Sequence, residues 1–157
     1  MKKSILTILA VFMIFTACAQ GSADKSSTSS YDGETKMTQK LYITVNGEKI
    51  SATLVDNSST QALVEKLKSG SITYEAHDYG NFEKVGNLPW SLPTNDTDIS
   101  TDYGDLILYL GKSFVIYYDK NEWDFTRLGK VDNLSQSELK TFLNAGNGNV
   151  SVTLSLE

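Results

Sequence analysis

Apolar and polar positions alternate at the start of the long C-terminal segment. Leu41-Tyr-Ile-Thr-Val45 and residues 48–55 carry apolar side chains at every second place on either side of Asn46-Gly47, the strongest short-range signal for a two-residue hairpin turn. The period then lengthens. Ser58 followed by Gln61 has the capping-box pattern, Ala62, Leu63 and Leu67 fall on one helical face, and Gly70 suits the left-handed backbone that ends a helix. Ser135 with Glu138, then Leu139, Phe142 and Leu143 facing inward and Gly146 at the exit, repeats that grammar and predicts a second short helix. Residues 72–79, 105–110, 113–118 and 125–131 are rich in β-branched and aromatic side chains, and residues 150–156 alternate strictly. Two short helices among many strands predict a mainly β fold, an antiparallel sheet curled into a barrel with helices over its ends.

The N-terminal pattern is of another kind. Met1-Lys2-Lys3 is a basic head, residues 5–15 form an almost wholly apolar run, and Phe15-Thr-Ala-Cys18 closes it, which is the layout of an export signal. The run is shorter than the about 20 residues that a spanning helix needs. Its end resembles the bacterial lipobox, in which the cysteine thiol receives a diacylglyceryl group and becomes the first residue of the mature chain. Cys18 is therefore the expected lipidation site, and as the chain's single cysteine it cannot form an internal disulfide or a thiolate metal cluster. The Ser-, Thr- and Gly-rich stretch that follows lacks the branched aliphatics needed to order itself and reads as a tether, with an r.m.s. reach of about 25 Å if flexible. The expected organisation is residues 1–17 as lipoprotein signal peptide, 18–39 as lipidated cysteine and flexible tether, and 40–157 as one domain. This places the protein in the bacterial cell envelope, lipid-anchored, on the periplasmic or surface side.

Charge narrows the partners. Loss of Lys2 and Lys3 takes the 14 basic side chains to 12 against 19 acidic ones, so the formal charge moves from −5 to −7. A chain this acidic is not expected to bind nucleic acid, and its membrane contact is expected through the lipid alone.

Several short blocks occur in a telling order. Gly104-Asp105-Leu-Ile-Leu-Tyr-Leu-Gly-Lys-Ser-Phe-Val-Ile-Tyr-Tyr118 forms a tight hairpin pattern ending in paired tyrosines, and Trp123 and Phe125-Thr-Arg-Leu-Gly-Lys-Val131 follow. With the opening hairpin, the Ser-rich cap of the first helix and the Leu88-Pro89 loop, this resembles the bacterial cyclophilin-like domain family from Leu41 to Leu156. The resemblance implies a small cyclophilin-like closed antiparallel barrel, and an occasional companionship with flavodoxin-like redox proteins. True cyclophilins are peptidyl-prolyl isomerases, but their Phe-His-Arg and Gly-Ser-Gln-Phe-Phe blocks are absent here, so none of their catalytic residues transfers by position.

Candidate chemistry is sparse. Arg127, the sole arginine, is the one residue able to supply the donor that an isomerase needs at the imide nitrogen of a twisted X-Pro bond. Trp90, Trp123 and Tyr118 are aromatic candidates for the walls of a ligand site beside it. Leu88-Pro-Trp-Ser-Leu-Pro93 holds both prolines of the chain around Trp90, a stiff loop that either plugs the barrel end or lines a cleft. In the cleft case Trp90 and Arg127 would hold an apolar group beside a carboxylate or a peptide carbonyl. The single His77 is expected as a half-buried strand residue with its nitrogens hydrogen-bonded. The acidic run from Asn95 to Asp105 fails the helix-loop-helix calcium pattern, with Thr101 where Gly is required and Ile107 where Glu is required. No metal is expected. Nor is a nucleotide or flavin cofactor, since no Gly-x-Gly-x-x-Gly occurs. The expected function is a non-enzymatic binding module for a peptide, a small molecule or an envelope protein. The alternatives are an isomerase or folding helper depending on Arg127, and an accessory partner of a flavodoxin-like redox protein.

Overall fold

A computed structural model of the protein describes residues 39–157. The expected signal peptide, Cys18 and nearly all of the tether lie outside the described residues. The elements run β1 (Lys40–Val45), β2 (Glu48–Leu54), α1 (Ser58–Leu67), β3 (Ile72–Tyr79), β4 (Glu83–Asn87), β5 (Thr97–Thr101), β6 (Asp105–Tyr109), β7 (Ser113–Tyr117), β8 (Asn121–Val131), α2 (Gln136–Phe142) and β9 (Val150–Ser155). The fold is a mainly β antiparallel sheet with two short helices. Its strand order is β2-β1-β9-β3-β4-β7-β6-β8, and a further β2–β8 pairing returns the order to its start, so eight strands close into a ring. The ninth strand, β5, pairs only along the first half of β8.

Closure depends on β8. Its second half pairs with β6 on one side and β2 on the other, with Ala52 opposite Val131 and Leu54 opposite Gly129. A side chain at Gly129 would collide with the Thr53 carbonyl, so the absence of a Cβ lets the β2 backbone approach. One residue away, Leu106 faces Gly129 while Ile107 faces Arg127, which leaves Leu128 as the extra residue of a bulge. Bulges bend a strand, and this one sits where the sheet must curl.

The hairpin predicted at Asn46-Gly47 forms with positive φ at both residues, the geometry that matches strand twist. Helix α1 is capped one residue earlier than the sequence pattern suggests. Asn57, not Ser58, is the N-cap, and it forms the reciprocal box with Thr60 because its side chain also donates to the Arg127 carbonyl at 2.8 Å, tying the helix start to β8. Helix α2 starts as expected, with Ser135 and Glu138 capping each other. Strands β4, β5 and the first half of β8 were not legible. The acidic run 95–105 becomes a loop and a strand: the Asn95 amide donates to Ser58 and Ser59, and the Asp96 carboxylate accepts from Thr126 at 2.5 Å.

Inside the ring, Leu41, Ile43, Leu106, Leu108, Phe114, Ile116, Leu128 and Leu154 meet Leu63 and Leu67 of α1 and Leu139 and Phe142 of α2. Lys84 is also fully buried, and its ammonium pairs with Asp78 at 2.7 Å while Tyr118 donates to the same carboxylate at 3.0 Å. A buried charge so paired is tolerable, whereas an unpaired one is not.

Candidate binding groove on the outer face of the sheet

Strands β6 and β7 are apolar on both faces. Leu106, Leu108, Phe114 and Ile116 point into the ring, and the alternate residues Ile107, Val115 and Tyr117 point outward, where they form a second cluster with Phe125 of β8. An antiparallel strand with one face in water alternates apolar with polar, so two apolar faces mean that the outer side is also covered or is used. Here it is partly covered by Phe82, Val85, Ile99 and Tyr109, and the rest is open.

The opening is a groove of about 530 Å³ across β3, β4, β7, β6 and β8. Val85, Val115, Tyr117 and Phe125 lie along it, with His77, Tyr79, Tyr109 and Trp123 around it. Pairing register puts these side chains on one face: His77 stands opposite Val85, and Val85 opposite Val115. The aromatic rings connect without a break. Tyr79 meets Phe82 edge-on at 6.1 Å between centroids, Phe82 stacks on Tyr117 at 6.0 Å, Tyr117 tilts against Phe125 at 5.8 Å, and Phe125 meets Tyr109 edge-on at 5.9 Å. Tyr79 and Trp123 are 61% and 62% exposed, which is unusual for large rings gathered at one place.

One carboxyl belongs to this aromatic surface. Glu83 is only 8% exposed, with the Tyr117 hydroxyl beside its carboxyl, and the Asn121 amide donates to that hydroxyl at 3.2 Å. Among the described residues no lysine, arginine or histidine forms an ion pair with it. Burial pushes the Glu83 carboxyl above its ordinary value, and the Tyr117 hydroxyl beside it only partly opposes this. The Tyr117 hydroxyl is itself pushed up, chiefly by burial.

The residues singled out by sequence are dispersed. Trp123 lies on the groove. Arg127 does not line it; its guanidinium is held by the buried Asp105 at 2.8 Å, a carboxylate shared with Lys130 at 3.1 Å. Trp90 is half-buried and packs against the main core, and neither it nor Arg127 lines the groove. Tyr118 turns inward to Asp78, and its neighbour Tyr117 turns outward, as consecutive strand residues must. His77, expected half-buried, is exposed because its face of β3 opens onto the groove. Sequence reasoning missed Glu83, Tyr79, Tyr109, Tyr117 and Phe125. The available signal was the loss of alternation in 105–109 and 113–117, where unbroken apolar runs require two apolar faces.

The comparisons with known proteins agree with this architecture. No curated protein sequence matches the chain significantly. Among solved structures it is similar to a hypothetical protein from Archaeoglobus fulgidus, with a TM-score of 0.54 at 14% identity over 80% of this chain and 99% of that one. It is also similar to McbB, solved in complex with tryptophan, with a TM-score of 0.50 at 15% identity over 74% of this chain and 44% of that one. Identities this low mark a shared fold. The model of the cyclophilin-like family matches residues 43–155, from within β1 to the end of β9, and the chain belongs to that family.

Proposed function

We propose that this protein is a non-enzymatic binding module of the bacterial cell envelope, a cyclophilin-like barrel held by a lipid on Cys18, whose outer groove takes a small molecule with an apolar, ring-sized body. The observation that carries the reading is the second apolar cluster: connected rings on the outside of a closed sheet, with an opening about 530 Å³ in volume. That size is within the range of small-molecule sites. A ligand burying roughly 200 Å² of apolar surface there gains about 5 kcal/mol before the losses of association, so apolar burial alone supports binding no tighter than about 0.2 mM, and polar contacts must supply anything beyond that. The isomerase alternative has less support, because the one arginine is engaged by Asp105 and does not line the groove.

Amide chemical-shift mapping tests this reading. A panel of small apolar and aromatic compounds is titrated into labelled protein, and the shifts are expected to gather on β3, β4, β7 and the start of β8, including the Trp123 indole. Shifts confined to the loop around Trp90, or to none of the domain, would sink it.

A further inference from the structure

Glu83 is an unusual group for the wall of an aromatic groove. It is more than nine-tenths buried, the neutral Tyr117 hydroxyl lies beside it, and no cation of the described residues pairs with it. The adjacent cation, Lys84, points to the other face and is taken by Asp78. Among the described residues no lysine or arginine lines the groove. Among the described residues the cation–π contacts also lie elsewhere, on Tyr42, Tyr103 and Tyr118, so none of their ammonium groups sits over the groove's rings.

Ligand charge follows from these placements. An anionic ligand would face Glu83 with no lysine or arginine as counter-charge and only the imidazole of His77 at the rim, and a neutral one would leave the carboxylate uncompensated among rings. An organic cation supplies both missing partners, a charge-assisted hydrogen bond to the carboxylate and attraction to the ring faces. Resting on the binding role proposed above, we infer that the groove's ligand is an organic ammonium ion, a protonated amine on an apolar body, with its nitrogen at the Glu83–Tyr117 edge and its body along Phe125 and Trp123. The negative net charge of the chain favours the same sign of ligand.

Three indoles that share a ring and differ in charge provide the test: tryptamine, 3-methylindole and indole-3-propionate, titrated into the full-length chain with amide and indole shifts as readout. Tryptamine is expected to bind at least about tenfold more tightly than indole-3-propionate, shifting the Glu83 and Tyr117 amides. Glu83→Gln is expected to erase most of that preference, while Trp123→Ala, at an exposed site, weakens all three together. If the three bind alike, or folded Glu83→Gln keeps the preference, the ammonium assignment fails and the groove remains a binding site for apolar bodies. If none of the three binds, the groove reading falls with it. The order of the probes in the unmodified protein decides the matter even if the Glu83 variant does not fold.

Discussion

Glu83 and Lys84 are neighbours on one short strand, both buried, and they meet the cost of burial in opposite ways. Lys84 turns into the ring and is neutralised by Asp78; burial would raise that carboxyl, yet hydrogen bonds from Lys84 and Tyr118 hold it below its ordinary value. Glu83 turns outward to the neutral Tyr117 hydroxyl, and desolvation wins, raising it above 4.5. A raised native value contributes stability that is full below the unfolded value and is lost as pH rises through the native one. Glu83→Gln, which keeps the shape and removes the charge, is therefore expected to raise the melting temperature at neutral pH and to lose that advantage below pH 4.5. Melting curves of both proteins across pH check this; a lower melting temperature for the variant at neutral pH contradicts it. None of this was legible in Glu-Lys-Val-Gly-Asn, which has two charges and a glycine and reads as a loop. What makes it a strand is the pairing of Val85 with His77 and Val115.

At the scale of elements, patterning was most informative where one face of a strand or helix is wet. The opening hairpin, the last strand and both helices were readable for that reason, and the Asn57 cap slipped by one place because its deciding bond goes to β8, distant in sequence. Where both faces are apolar, as in β6 and β7, periodicity identifies a strand but not which face meets the ring interior. Strand β8 carries the closure, and Gly129 is its narrowest point. Gly129→Ala puts a methyl group against the Thr53 carbonyl and is expected to destabilise the domain by about 1–3 kcal/mol. Denaturant midpoints measure that loss, and faster amide exchange in β2 and β8 than in β6 and β7 would locate it at the seam. An unchanged midpoint would mean that β2 yields without loss of the β2–β8 pairing.

For the whole molecule, the predicted division assigns a separate role to the N-terminus. If Cys18 is acylated, an alkyne-tagged fatty acid fed to the producing bacterium is expected to label the protein, and Cys18→Ala is expected to remove the label and release the protein from the membrane fraction. Labelling that survives the substitution would refute the anchor at that residue. A lipid at Cys18 would fix location and leave the groove's specificity untouched, so the two proposals stand or fall separately.

The sequence alone carried the local information: the hairpin at Asn46-Gly47, the two helices, most strands, and the resemblance that pointed to the family. These are readable because period, turn chemistry and capping act over a few residues. Tertiary structure alone decided which aromatic side chains share a surface, that Arg127 pairs with Asp105 and does not line the groove, and that Glu83 is buried without a lysine or arginine partner among the described residues. Those facts depend on register between strands far apart in the chain and on the closing of the ring, and a one-residue change in register would send every one of these side chains to the opposite face.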